Sequence, residues 1–195
     1  LAGEYDSVES AADISMVSSE DAQLGSAVAV GDFDDDGSQD LAMGAPGHEG
    51  LGAVYVLENY RSWLGGGAPA LELAASVRLN GTAGGLGVGI AVTPDVTGDG
   101  VPDMLVAESE VEGVGAVWVV SGALASAGEH AIEDVAVLGI LGQYHAEQIG
   151  HHLGAADFDG DGIADPVISS SRHPTPADVG LAMSGRVSVL LSGDW

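Results

Sequence analysis

Short apolar runs alternate with single polar or small residues along most of this chain of 195 residues. The alternation has a period of two, and Gly, Asp and Ser interrupt it every few residues, which is typical of β-strands joined by turns. The clearest example is a Gly followed by alternating small and apolar residues, which occurs at 52–56, 115–119 and 185–189. The pattern predicts an all-β protein with many short strands.

Each of these segments is the third strand of a predicted unit that occurs three times. First strands are predicted at 26–30, 89–93 and 151–156, and second strands at 41–44, 104–107 and 167–169. Fourth strands are predicted at 71–79 and 134–138, and residues 12–17 have the pattern of a fourth strand of a preceding unit. Corresponding positions are 63 and then 62 residues apart, and this period indicates a repeat protein.

An acidic segment of nine residues separates the first two strands of each unit. Oxygen-bearing side chains stand at its positions 1, 3, 5 and 9 and Gly at position 6, with position 1 at Asp32, Asp95 and Asp157. Alternating oxygen ligands around a turn that Gly permits suit a hard cation, above all calcium. The alternative is an Asp-Gly turn with no bound ion, although converging carboxylates would then repel one another.

Composition limits the classes of function. Thirty acidic and 4 basic residues give a net charge of -26, which disfavours nucleic acid as a partner and gives no basic patch to recruit it. No apolar run approaches the ~20 residues of a membrane span, so membrane insertion is not expected. The chain has no Cys and therefore needs no disulfides. The acidity fits either adaptation to a salty medium or an ordinary acidic secreted protein.

The first unit carries a longer recognisable pattern. It reads Leu24-Gly25, then the acidic segment, then Leu41-Ala-Met-Gly44-Ala45-Pro46, then Gly52-Ala-Val-Tyr-Val56. These residues resemble the FG-GAP repeat, the blade unit of the integrin alpha-subunit β-propeller. The second and third units keep the Leu-Gly or Ile-Gly pair and the loop, but replace Gly-Ala-Pro by Ala-Glu-Ser and Ser-Ser-Ser.

The resemblance implies a single β-propeller region over residues 1–195, with blades of four antiparallel strands. The blades would span approximately 24–80, 86–140 and 149–195, with 12–17 as the fourth strand of another blade or of the last one. Propellers use about 4–8 blades, and three leave open edges. We therefore expect either a partial propeller that lacks blades of the same parent chain or a half-ring that assembles as a homodimer.

The resemblance also implies about three bound calcium ions, one per repeat. The side-chain ligands would be Asp32, Asp34, Asp36, Asp40, Asp95, Thr97, Asp99, Asp103, Asp157, Asp159, Asp161 and Asp165. The backbone carbonyls of Ser38, Val101 and Ile163 would complete the sites. Thr97 replaces an acid at position 3, so the middle site is expected to be the weakest.

The function expected from the resemblance is a non-catalytic, calcium-dependent adhesion module at the cell surface or outside the cell. Its ligand would be a protein or a glycan, met by the loops at 46–51, 108–114 and 172–183, while calcium is structural. No Gly-x-Ser-x-Gly nucleophile motif is present, and no enzyme activity is expected. Two alternatives are a calcium-stiffened spacer of a large surface protein and an accessory carbohydrate-binding domain of a secreted hydrolase or lyase.

Overall fold

The computed structural model describes residues 12–63, 71–123, 127–174 and 183–193, apart from the side chains at 72 and 73. In these ranges the chain forms three sheets in sequence order. The first sheet contains β1 (Val28–Gly31), β2 (Asp40–Ala45), β3 (Ala53–Leu57) and β4 (Val77–Asn80). The second contains β5 (Leu86–Thr93), β6 (Asp103–Glu108), β7 (Ala116–Ser121) and β9 (Ala136–Leu141). The third contains β10 (Ile149–Ala156), β11 (Asp165–Ser170) and β12 (Arg186–Val189).

Neighbouring strands within each of these three sets are antiparallel. We call the sheets blade one, blade two and blade three. The predicted fold class is confirmed: the described residues form stacked antiparallel sheets with little helix, as in part of a β-propeller. None of the helices in the described ranges is long and apolar enough to cross a membrane.

Short helical turns replace parts of two predicted fourth strands. Residues Leu71–Ala74 form the turn α1 ahead of β4, and Ile132–Val135 form the turn α2 ahead of β9. In each turn the first and fourth residues are apolar and buried. Residues three apart lie on one face of a helix, so a helical turn can bury both apolar side chains together. A strand had been predicted there from the alternation of apolar residues. Three 3-10 turns, at His48–Gly50, Tyr60–Trp63 and Val111–Gly113, complete the described helical structure.

Strand β8 (Gly128–Ala131) was not predicted, and it joins a sheet that its sequence position does not suggest. It lies between β7 and β9 in the chain but pairs in parallel with β4 of blade one. Arg78 on β4 donates a hydrogen bond to Glu129 on β8. Because β8 has the sequence Gly-Glu-His-Ala, it carries no apolar alternation that could reveal it. Residues 12–17 contain only an isolated bridge residue, Val17, in place of the predicted strand.

The three blades pack face to face. One apolar cluster fills the space between blades one and two, and it includes Val54, Val56, Met104 and Val106. A second cluster lies between blades two and three. A third covers the opposite face of blade one, where Met16 packs together with buried residues of β2, β3 and α1. We call the face of a blade toward lower residue numbers its front, and the face toward the next blade its back.

Candidate metal centres

The three acidic segments lie at the same end of the three blades. Each connects the first strand of its blade to the second, between β1 and β2, β5 and β6, and β10 and β11. The carboxylate at position 1 accepts a hydrogen bond from the position-6 Gly N–H, at 3.0, 2.8 and 3.0 Å for Asp32, Asp95 and Asp157. These Gly residues have φ of +85°, +88° and +93°, a left-handed conformation that explains why Gly recurs there.

The carboxylates at position 9 are buried at the start of the second strand of each blade. Asp40, Asp103 and Asp165 each accept a hydrogen bond from the N–H of position 2, at 2.8, 2.7 and 2.8 Å. A buried carboxylate requires such donors, because burial without them is costly. The position-9 carboxylate therefore joins the start of each loop to the first residue of the second strand, whether or not it also binds an ion.

The outer two loops each gather three carboxylates. Oxygen atoms of Asp32, Asp34 and Asp40 lie within 4.8 Å of one another, and those of Asp157, Asp159 and Asp165 do so in the third loop. Asp32 Oδ1 is buried and has no hydrogen-bond partner among the described residues. An orphaned buried carboxylate oxygen beside two other carboxylates is the donor set that a hard cation satisfies, so the residues fit a divalent ion.

Burial and neighbouring negative charges raise the pKa of one carboxylate in the first loop. Loss of solvation raises the pKa of Asp34 above its usual value, and the charges of Asp40, Asp36 and Asp32 raise it further, although a hydrogen bond from the Asp36 N–H opposes both. A bound cation would reverse the effect of these charges, because it favours the ionised carboxylates.

The middle loop differs from the other two. Among the described residues, its acids form no group of three that converges as in the outer loops. Thr97 stands at position 3, and its hydroxyl donates to Asp103 Oδ1 at 3.4 Å. The Thr97 N–H also donates to Asp103, at 2.9 Å. Replacing an acid by Thr thus removes one charge and directs the side chain toward another loop residue.

The position-5 carboxylates are held by residues at the end of the third strand of each blade or just beyond it. Asp36 accepts from Asn59 Nδ2 at 2.9 Å, Asp99 from Ser121 Oγ at 2.6 Å, and Asp161 from Ser192 Oγ at 3.2 Å. These hydrogen bonds lower the pKa of Asp36 and of Asp99. These partners were not predicted from the sequence. Their signal is a polar residue six or seven positions after the Gly that precedes the third strand.

The position-7 residues use their N–H groups within the loop. The N–H groups of Ser38, Val101 and Ile163 donate to the position-5 carboxylate at 2.7, 2.9 and 2.8 Å. The three loops therefore share one backbone conformation. That the carbonyl oxygens of these residues bind an ion stays a prediction.

Asp103 gives a pH prediction for the metal-free chain. Burial raises its pKa to about 6 from the ordinary 3.8, despite hydrogen bonds from the Val96 and Thr97 N–H groups. The folded state then binds a proton more tightly than the unfolded state, so the stability that Asp103 contributes is lost as pH rises toward 6. Asp103→Asn should remove this loss, so that in chelator its Tm relative to wild type rises by a few °C between about pH 4 and pH 6.

Asp165→Asn is the matched control for that prediction. Asp165 is equally buried, but hydrogen bonds from the Ser192 and Phe158 N–H groups lower its pKa. Its contribution to stability is present above the ordinary pKa and is lost as pH falls, so its variant should change the pH profile in the opposite sense. If the Tm of both variants depended on pH in the same way, the opposite pKa shifts of Asp103 and Asp165 would be contradicted.

Two other buried carboxylates were not identified from the sequence. Glu108 was placed in the predicted ligand loop at 108–114, yet it is the last residue of β6 and is fully buried. Glu147 is also fully buried, and His173 Nδ1 lies 2.6 Å from its Oε2. Glu108 therefore ends the second strand of blade two, and its side chain is buried at the start of the segment that was predicted as a ligand loop.

These observations define the class of protein: stacked antiparallel blades, each with an acidic loop at the same end. Residues 24–57 match the family model of the FG-GAP repeat. A part of the chain is 36% identical over 103 residues to integrin alpha-3 of Cricetulus griseus. The match covers 50% of this chain and 9% of that integrin. The chain therefore contains an FG-GAP repeat and is integrin alpha-like over half of its length.

Proposed function

We propose that this chain is a non-catalytic, calcium-dependent binding module of adhesion type, located outside the cell or at its surface. The observation that supports this proposal most directly is the convergence of three carboxylates in each outer loop, where Asp32 Oδ1 is buried without a partner among the residues that the structure describes. The similarity to integrin alpha-3 supports the adhesion class and the location. Calcium in this proposal is structural, because its loops lie at one end of the blades.

Bound calcium would be held by the carboxylates of positions 1, 3 and 9 in the outer loops. The position-5 carboxylate would contribute after adjustment of its present hydrogen bonds, and the position-7 carbonyl would contribute as a backbone ligand. The ion would offset the repulsion among the carboxylates and hold the first two strands of each blade at a fixed separation. The middle loop would bind more weakly, since Thr97 brings no charge.

Thr97→Asp provides a direct test of that order of affinities. A fourth carboxylate at the middle loop should tighten calcium binding there by roughly tenfold. Isothermal titration with calcium should show the dissociation constant of the weakest site approach those of the other two. Thr97→Asn is the matched control, because it supplies an oxygen without a charge and should change affinity much less. An unchanged titration for Thr97→Asp would contradict a calcium site in this loop.

The opposite end of the blades carries the candidate ligand site. A cleft of about 550 Å³ opens there between the three blades, and its lining includes Gln23, Pro46, Val88, Ser109, Gln148 and His151. Two predicted ligand loops border it, and residues 175–182 of the third lie outside the described residues. Amide, hydroxyl and imidazole groups over an apolar floor suit recognition of a protein loop or a glycan.

Backbone conformation at this cleft supports a binding role. Gln23 and Gln148 have φ of 55° and 56°, in the left-handed region, and the corresponding residue of blade two is Gly85, with φ of 74°. Glycine adopts this conformation without strain, whereas a residue with a side chain costs about 1 kcal/mol or more. Blades one and three therefore keep a strained Gln where blade two has Gly.

Binding to an array of glycans and matrix proteins, in calcium and again with chelator, tests the proposed function. Gln23→Gly combined with Gln148→Gly should weaken binding to the captured ligand while leaving the Tm unchanged or higher. Val137→Ser on β9, away from the cleft, should leave binding unchanged. Capture of glycans alone would favour an accessory carbohydrate-binding domain, and absence of any calcium-dependent capture would favour a structural spacer.

A further inference from the structure

A buried carboxylate holds the connection between blades two and three. Glu147 lies in this connection, which runs from the end of β9 at Leu141 to the start of β10 at Ile149, and it is fully buried. Its Oε1 accepts a hydrogen bond from the Gln143 N–H at 2.6 Å, and its Oε2 lies 2.6 Å from His173 Nδ1. Because carboxylate oxygens accept, the Nδ1–H of His173 is the donor. One side chain thus joins the connection to the segment that follows β11.

Further contacts fix His173 in place against this carboxylate. Its ring packs edge to face with Tyr144, with the ring centroids 5.0 Å apart. The N–H of the neighbouring Arg172 donates to the carbonyl oxygen of Glu147 at 3.0 Å, and the carbonyl oxygen of His173 accepts from the Gly185 N–H at 3.1 Å. The backbone and the ring are therefore both held, so Nδ1 has a fixed position. We call Glu147 and His173 the carboxylate–histidine pair.

The residues on either side of Glu147 line the cleft in a strained conformation. Ala146 and Gln148 have φ of 57° and 56°, in the left-handed region, and both belong to the cleft lining. A residue with a side chain keeps such a conformation only where the surrounding contacts enforce it. The carboxylate–histidine pair provides contacts of this kind at the residue between the two strained ones.

A backbone hydrogen bond common to the three blades shows which residues correspond to Glu147. Its carbonyl oxygen accepts from the segment after the second strand of blade three, as described above. In blade one the Ala22 carbonyl accepts from the Gly47 N–H at 3.0 Å, and in blade two the Gly84 carbonyl accepts from the Glu110 N–H at 3.1 Å. Glu147 therefore stands where blade one has Ala22 and blade two has Gly84.

Blade two supplies a carboxylate to the corresponding connection from a different residue. Glu108, the last residue of β6, accepts at Oε1 from the N–H groups of residues 82–84, in the connection between blades one and two. Blade one has Ala45 at the end of its second strand and Ala22 in the segment that enters it. The carboxylate therefore belongs to the two connections between described blades, and only in blade three does it come from the connection itself.

We infer that the carboxylate–histidine pair positions the blade-three side of the cleft, by holding Ala146 and Gln148 in their left-handed conformations before any ligand enters. Glu147 and His173 are positioning residues: both are buried and act through Ala146 and Gln148, which are exposed. That the cleft receives a ligand rests on the proposed function, whereas the order of this connection is a property of the free protein and is measured without a ligand.

Amide hydrogen exchange followed by NMR, in calcium and without ligand, tests the inference. His173→Phe keeps an aromatic ring against Tyr144 but removes the Nδ1–H donor. The exchange rates of the Gln143 and Arg172 amides should rise by about ten- to a hundredfold, because a buried carboxylate loses a donor. His173→Asn places an amide N–H near the position of Nδ1 and should restore slow exchange. Glu147→Gln, of nearly unchanged shape, should also raise both rates, since a neutral amide accepts more weakly than a carboxylate.

Two controls accompany these variants. The Thr82 amide, which Glu108 holds, should keep its exchange rate in every variant and so show that the rest of the fold is intact. His152→Phe replaces an exposed histidine of β10 and should leave all the monitored amides unchanged. If His173 only filled space, His173→Phe would preserve slow exchange and His173→Asn would lose it, and that result overturns the inference. Absence of any captured ligand on the array, with these exchange rates as expected, would overturn the proposed ligand site alone.

Discussion

Removing calcium with a chelator is expected to lower the Tm of this chain by about 8–16 °C. Extracellular calcium modules bind with Kd of about 10⁻⁴ to 10⁻³ M, and at calcium tenfold above Kd each site contributes roughly 1.4 kcal/mol. Three sites contribute on the order of 4 kcal/mol, and each kcal/mol moves the Tm of a domain this size by about 2–4 °C. The physical source is the repulsion among carboxylates, which the folded loops hold together and the unfolded chain separates.

A thermal scan by circular dichroism, in calcium and in chelator, measures this effect. Excess magnesium should restore less stability than calcium, because its strict octahedral geometry suits these loops poorly. Asp32→Asn with Asp157→Asn should lower the Tm in calcium but reduce the effect of chelator. Asp134→Asn, an exposed acid outside the loops, should preserve the full effect. Equal Tm values in calcium and chelator would contradict bound calcium.

Replacing Glu108 by Ala is expected to cost about 3–5 kcal/mol of unfolding free energy. Its Oε1 accepts hydrogen bonds from the N–H groups of Thr82 and Ala83, both at 2.8 Å, and Gly84 contributes a longer one at 3.3 Å. Its Oε2 accepts from Trp118 Nε1 at 2.9 Å. Truncation leaves these buried donors unpaired and opens a cavity between blades one and two.

Urea denaturation followed by tryptophan fluorescence measures this loss, and Trp118 reports on the altered site directly. Glu108→Gln should cost less than Glu108→Ala, since an amide oxygen still accepts part of the hydrogen bonds. The neighbouring Glu110 is exposed, so Glu110→Ala is the control and should change stability by less than about 0.5 kcal/mol. A loss below about 1 kcal/mol for Glu108→Ala would show that other acceptors or water replace the carboxylate.

The repeat and its strands could be predicted because their signals are local. Alternation within five residues defines β3, β7 and β12, and the Asp and Gly spacing defines the loop between the first two strands. Positions 1 and 9 of the loops were predicted as ligands and do lie where carboxylates converge in the outer loops. Thr97 was predicted to weaken the middle loop, and there the acids do not converge in the same way.

The features that could not be predicted depend on contacts distant in sequence. The local sequence around Glu108 is typical of a loop. Its burial results from contact with the backbone after β4, about 25 residues earlier in the chain. The same holds for Asp36, whose direction is set by Asn59 beyond the third strand. Position 5 was therefore expected to point at the ion, whereas in the structure it also holds the end of the third strand.

Strand β8 links two of the three blades, so a single blade is not the unit that unfolds cooperatively. Because β8 belongs to the second repeat but is hydrogen-bonded to β4, blades one and two share a sheet and should lose structure together. Among the described residues, blade three shares no such strand with blade two. Under a pulling force, blade three should therefore separate first as a small unit, while the first two blades resist as one larger unit. The mechanical boundary in this chain thus lies before residue 149, and not at each repeat.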